Sequence, residues 1–342
     1  MPTARTGAGR ARVEPPSEST AESPPEEFDW ATHQGSPDGS RNCFTGGQRT
    51  EGMHVSGVGP PLVTPFDQEG DVDHGRLREL VAWVETRGVD FLVPCGSTSE
   101  AELLTADEQA RVVETVVDAA SVPVVAGTGH PGLRETLAST RAASEAGADA
   151  ALVVTPFYYE HDQQRLAAYY REVADSSPLG VYLYSVPTYT GVELHPDTVG
   201  DLATEPGILG LKDSSGSLGA LARHRRRTGS DFTLLAGSAD LLASGLAHGA
   251  DGGVLAVANL HPELAAEAVE QQTDDPERAR TLTTDLGEYH RAVFAQGVPG
   301  LKWAMRERGA PAGYPRSPHR PLAEEDRDSL RSALDALHGR SP

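Results

Sequence analysis

Residues 207–213 read Gly-Ile-Leu-Gly-Leu-Lys-Asp. A strand with one face in water alternates apolar and polar residues, whereas this run stays apolar until its last two positions. Such a run fits a strand covered on both faces, as in a parallel sheet flanked by helices. The lysine that ends it is costly there, because burial penalises an ammonium ion. The stretch therefore predicts a parallel α/β sheet and asks for a chemical reason for Lys212.

Outward from this segment the pattern repeats. Short β-branched runs bounded by Gly or Pro occupy 58–63, 91–94, 122–126, 151–155, 180–185, 208–212, 232–236 and 253–257, and each reads as a strand. Helix-like stretches at 76–87, 107–120, 133–146, 163–174 and 218–227 lie between them. Thr105 followed by Glu108 is a capping-box start. Eight strands alternating with helices predict a (β/α)8 TIM barrel. The competitor is an open doubly wound sheet, but no GxGxxG fingerprint follows the first strand. Further helical stretches at 262–272, 279–294, 301–308 and 324–338 exceed what the barrel needs. The expected division is thus a disordered tail over 1–52, dispensable for folding and open to being an upstream misread of the start codon. A barrel over 53–260 follows, then the last barrel helix and a C-terminal helical extension over 261–342.

The formal net charge of −21 argues against nucleic acid and anionic membranes as partners. Residues 1–52 hold 8 acidic and 5 basic side chains, so the acidity belongs to the remainder. Only Lys212 and Lys302 are lysines; the other 27 basic residues are arginines. An acid-rich, lysine-poor composition suits a protein kept soluble at high salt, and codon bias is the bland alternative. Two cysteines, Cys43 and Cys95, make a structural disulfide improbable. With no secretory h-region and no apolar run long enough to span a bilayer, the expectation is a soluble cytoplasmic protein.

Active-site residues of a parallel barrel sit where its strands end. Gly96-Ser97-Thr98-Ser99-Glu100 offers amides and hydroxyls to a small carboxylate, or is simply a polar turn. Thr155-Pro156-Phe157-Tyr158-Tyr159 reads as a lid, a subunit contact or plain packing. Tyr184 ends another strand and could move a proton, or be a rim aromatic. Lys212 could attack a ketone as a neutral amine, or could be a structural lysine paired with Asp213 or another acid. Its rarity in this chain favours the nucleophile. Gly237-Ser238 and Gly252-Gly253 could meet a ligand through backbone alone. No metal-ligand spacing, P-loop or GxSxG elbow is present, so neither metal nor cofactor is expected.

Taken in order, these strand ends resemble the dihydrodipicolinate synthase / N-acetylneuraminate lyase superfamily. The matching pieces are Gly96–Glu100, Ala126-Gly127-Thr128-Gly129, Thr155–Tyr159, Tyr184-Ser185-Val186-Pro187-Thr188-Tyr189-Thr190-Gly191, Gly210-Leu211-Lys212-Asp213 and Leu235-Ala236-Gly237-Ser238. The resemblance implies a class I pyruvate-dependent aldolase, a carbon–carbon lyase with Lys212 as Schiff-base lysine and Tyr184 as proton relay. Ser97, where the family usually has Thr, and Thr98 would hold the pyruvate carboxylate, with Gly96 beside them. Tyr158 would reach a neighbouring subunit's site, implying a homodimer or homotetramer. Dihydrodipicolinate synthases usually carry an arginine where this chain has Tyr189, and a phenol cannot replace a guanidinium fork for a carboxylate. Pro187–Gly191 and Gly313-Tyr314-Pro315-Arg316-Ser317-Pro318 look more like 2-keto-3-deoxygluconate aldolases. Tyr184–Pro187 with Lys212-Asp213-Ser214 also resembles 4-hydroxy-2-oxoglutarate aldolases. The preferred expectation is reversible cleavage of a 2-keto-3-deoxy acid to pyruvate and an aldehyde. The alternatives are 4-hydroxy-tetrahydrodipicolinate synthase, joining pyruvate to aspartate semialdehyde, and a keto-acid-binding barrel without catalysis.

Overall fold

Seven parallel strands run in the order β1-β7-β6-β5-β4-β3-β2. They are β1 Gly57–Gly59, β2 Val125–Gly127, β3 Ala150–Val154, β4 Gly180–Ser185, β5 Ile208–Asp213, β6 Thr233–Ala236 and β7 Gly252–Val254. The computed structural model describes residues 53–338, so the expectation for 1–52 lies outside the described residues. The predicted strand 91–94 is not a continuous ladder, which corrects that expectation. It is held by isolated parallel bridges, Pro61 to Val93 on one side and Leu92 to Val124 on the other. Val93 N–H donates to Pro60 O at 3.1 Å and Val125 N–H to Leu92 O at 2.9 Å. Prolines at 60, 61, 94 and 123 remove the donors a ladder would need. The segment still joins β1 to β2, so the sheet closes into a (β/α)8 barrel.

The predicted strand 253–257 is shortened likewise, because Ala256–Asn259 winds into a 3₁₀ turn. Helices α1 His74–Glu85, α2 Ala106–Ala119, α3 Leu133–Glu145 and α4 Gln163–Ser176 fall where the periodicity places them. Thr105 and Glu108 form the expected box, with Thr105 N–H donating to Glu108 Oε2 at 2.8 Å. Three short helices escaped the sequence reading: α5 Pro187–Thr190, α6 Pro196–Leu202 and, after α7 Leu218–Arg227, α8 Leu242–Ala247. Helix α9 Pro262–Asp274 leads into the C-terminal set, α10 Pro276–Phe294, α11 Gly297–Glu307 and α12 Glu324–His338. No helix among the described residues is long and apolar enough to cross a membrane.

Two apolar layers sort the strand residues. Val93, Val125, Leu152, Tyr182, Tyr184, Leu235 and Val254 fill the barrel interior. Val153, Val181, Leu183, Leu211 and Leu234 point outward onto Leu166, Tyr170 and Leu221 of the surrounding helices. Strand β5 changes phase between these layers. Val181 pairs with Ile208, but Tyr182 pairs with Gly210, so the register slips by one residue. Ile208 and Leu211 belong to the outer layer and Leu209 to the inner. A Cβ on Gly210 would fall 2.8 Å from the inward Tyr182 ring and 2.3 Å from Thr233 O. Leu209 and Gly210 thus both face inward, which is a bulge. Strict alternation from Ile208 would send Lys212 out among the helices; the bulge turns it into the barrel.

Candidate active site

The slipped register sets Lys212 opposite Tyr184 on the neighbouring strand. Both side chains are buried, and Lys212 Nζ lies 4.0 Å from the centre of the Tyr184 ring. Asp213 points the other way. Its Oδ1 accepts from Ser215 N–H at 2.8 Å, and its Oδ2 lies 3.8 Å from His224 Nε2 on α7. The structural alternative for Lys212, pairing with Asp213, therefore does not hold. An amine and a phenol meet inside the barrel at its strand ends, where no carboxylate among the described residues pairs with the amine. That pair can form an imine with a small ketone and pass a proton to or from it.

The carboxylate-binding candidate is the turn over residues 95–100. Cys95 and Glu100 bracket it, both at φ 57°, a left-handed conformation that non-glycine residues seldom adopt. Gly96 N–H donates to Ser99 Oγ at 3.0 Å, and Ser99 Oγ donates to Leu62 O at 2.5 Å. Burial pushes the free Cys95 thiol up to about 12, so it is no nucleophile at neutral pH. The strained turn is anchored from below by a group that sequence reasoning missed. Lys302, on α11 and wholly buried, donates to Glu100 Oε1, to Thr64 O at 2.6 Å and to Tyr314 O at 2.9 Å. Burial lowers Lys302 to about 8, against the raising effect of Glu100. Glu100 Oε2 also takes Arg316 N–H at 3.1 Å and contacts His319 Nδ1 at 2.8 Å. The signal was available, since Lys302 is the chain's only other lysine and sits in the apolar run Leu301-Lys302-Trp303.

Above this turn a small cavity is lined by Gly96, Ser97, Glu102, Gly129, His130 and Tyr184. It shares Ser97, Ala101, Glu102 and Val154 with a wider cleft of about 410 Å³, whose far walls are Phe157, Val186, Tyr189, Thr190 and His319. Of the predicted residues, Gly96, Ser97 and Tyr184 line the small cavity, Lys212 lies behind them against the Tyr184 ring without lining either space, and Tyr189 stands on the cleft wall. Thr98, Gly237 and Ser238 line neither space. Gly237 is spent on packing: its N–H donates to Asp213 O at 2.7 Å, and a Cβ there would fall 1.9 Å from Ser214 Oγ. Tyr158 stands away from the cleft, 86% exposed, edge-on to Tyr159 at 5.0 Å and at φ 77°. Sequence reasoning gave Glu102 and His130 no role at this site. Among the described residues no cluster of His, Cys, Asp and Glu could hold a metal ion.

Comparison with known proteins places the chain in a family. The model of the dihydrodipicolinate synthetase family covers residues 54–337. A 4-hydroxy-tetrahydrodipicolinate synthase of Methanothrix thermoacetophila is 41% identical over 284 residues, 82% of this chain and 96% of that one. An uncharacterized DapA-like lyase of Halobacterium salinarum is 40% identical over 291 residues, 84% and 94% of the two chains. Among solved structures, the chloride-inhibited dihydrodipicolinate synthase of Acinetobacter baumannii, complexed with pyruvate, superposes with a TM-score of 0.80. It is 33% identical, with 83% of this chain and 99% of that one covered. The chain therefore belongs to the dihydrodipicolinate synthetase family and is a carbon–carbon lyase.

Proposed function

We propose that this lyase works on pyruvate through a Schiff base on Lys212. The observation that carries the reading is the buried amine set 4.0 Å from the Tyr184 ring at the strand ends. The neutral amine adds to the keto carbon of pyruvate, and water leaves to give an iminium. That cation draws electrons from C3, which loses a proton to form an enamine. The enamine carbon attacks an aldehyde, or in reverse the adduct splits to release one; hydrolysis then frees Lys212. Tyr184 carries protons to and from the carbinolamine oxygen. Ser97, with the Gly96 turn and Thr98, holds the pyruvate carboxylate. Tyr158, exposed and strained, serves the site of a second subunit, so the working form is a homodimer or homotetramer.

For the aldehyde partner, Tyr189 favours the aldol cleavage of a 2-keto-3-deoxy acid. Among the described residues no lysine or arginine lines the cleft beside it, so no guanidinium or ammonium there answers a second carboxylate. The names of most relatives favour the other reading, 4-hydroxy-tetrahydrodipicolinate synthase, with aspartate semialdehyde as the partner. Borohydride reduction with pyruvate, followed by peptide mass spectrometry, tests the Schiff base: the adduct is expected on Lys212. An unmodified Lys212 would leave a barrel that binds keto acids without turning them over. Pyruvate consumption with glyceraldehyde or aspartate semialdehyde, side by side, separates the two partners.

A further inference from the structure

The cleft beside the amine–phenol pair carries a carboxylate that the reaction above does not use. Glu102 follows the strained turn, in the short 3₁₀ segment Ala101–Leu103. It is one of the few residues that line both the small cavity containing Ser97 and Tyr184 and the wider cleft containing Tyr189 and Thr190. It therefore stands where the cavity beside the Tyr184 phenol opens into the cleft.

Glu102 is exposed to solvent and has no protein cation to neutralise it among the described residues. Among the described residues no hydrogen bond or ion pair reaches its carboxylate, and the protein around it raises its pKa. The nearby cations are engaged elsewhere. Lys302 is enclosed by Glu100 and two carbonyls. Arg316 forks onto Glu108 at 2.6 and 2.7 Å and reaches Leu103 O at 2.9 Å. His319 has its Nδ1 on Glu100. The remaining polar groups of the cleft are hydroxyls, those of Ser97, Tyr189 and Thr190. An ionised carboxylate only accepts hydrogen bonds. An aldehyde bearing hydroxyls satisfies it, whereas one bearing a carboxylate or phosphate meets like charge.

We propose that Glu102 determines the aldehyde partner, binding the hydroxyls of an uncharged polyhydroxy-aldehyde and turning away anionic aldehydes. This rests on the Lys212 Schiff-base reading and adds the substrate class. The test uses the full chain as wild type, Glu102→Gln and Glu102→Asp. It measures kcat/KM with glyceraldehyde and with two anionic aldehydes, glyoxylate and aspartate semialdehyde, and traps pyruvate on the wild type with borohydride. In Glu102→Gln the ratio of anionic to neutral kcat/KM rises on the order of tenfold, while Glu102→Asp keeps the wild-type preference. Trapping on Lys212 with an unchanged ratio in Glu102→Gln overturns the role of Glu102 and leaves the lyase reading standing. A wild type that prefers aspartate semialdehyde to glyceraldehyde overturns it as well. Failure to trap pyruvate at all overturns both.

Discussion

Replacing Lys302 by methionine tests how the turn over residues 95–100, the proposed carboxylate site, is held. Lys302→Met removes three donated hydrogen bonds, to Glu100 and to the carbonyls of Thr64 and Tyr314. It leaves the fully buried Glu100 carboxylate with Arg316 N–H and His319 alone. Breaking a buried pair from one side costs about 3–5 kcal/mol. In a domain of this size that is a fall in Tm of roughly 6–20 °C, readable through the fluorescence of the adjacent Trp303. The double variant Glu100→Gln/Lys302→Met removes both charges and should be more stable than Lys302→Met alone. The sign with pH follows from linkage. Lys302 titrates near 8 in the folded protein against 10.5 when unperturbed. The unfolded chain therefore binds more protons between those values, and this lysine's contribution to stability rises with pH across that window. The gap between wild type and Lys302→Met should accordingly widen from pH 8 to 10.5. A loosened turn should also raise KM for pyruvate. A Tm within about 2 °C of wild type, or a double variant no better than the single, would refute the reasoning.

Tyr184→Phe keeps the ring against Lys212 Nζ and deletes the hydroxyl; turnover should fall about 10²–10⁴-fold, with slower but detectable borohydride trapping. Gly237→Ala drives a Cβ to 1.9 Å from Ser214 Oγ and 3.0 Å from Asp213 O, so steady-state kinetics should show kcat reduced through displacement of the Lys212 strand end. Arg316 holds the Glu108 carboxyl down to about 2 from its usual 4.5. That stabilisation is complete above pH 4.5 and disappears as pH falls toward 2. Acid unfolding of Arg316→Ala should therefore show a shallower slope in that window than wild type.

The barrel was legible because its signals are local and repeated: short apolar runs, Gly and Pro punctuation, and a capping box at Thr105. Strand 91–94 was half legible. Its composition is that of a strand, but the prolines on it and on its neighbours reduce its pairing to isolated bridges. Lys212 and Tyr184 were legible as strand-end residues, whereas their meeting was not, because it depends on the slip at Leu209. The trace of that slip in the sequence is Gly210, a glycine inside an apolar strand. Thr98 and Ser238 look equivalent to Ser97 in sequence yet line neither cavity; which hydroxyl of a turn faces inward depends on backbone angles that composition does not record. Glu102 stayed hidden because it is a solvent-exposed acid, and only the fold shows that it lines both cavities.

The chain's two lysines show what a perturbed group does and does not signify. Burial depresses Lys302, and a rule that equates a depressed amine with a nucleophile would select it. Geometry selects against it. Its Nζ is enclosed by a carboxylate and two carbonyls, and the side chain has no exposed surface for a ketone to reach. To attack, it would have to abandon all three acceptors and leave Glu100 uncompensated. Lys212 has no such acceptor and faces an aromatic ring where the strands end. The distinction arises in the backbone. One extra residue in β5 turns Lys212 from the helix side to the barrel interior, while α11 carries Lys302 beneath the turn that Glu100 ends. One lysine thus holds the turn over residues 95–100 in its strained shape, and the other is left free for the proposed Schiff base.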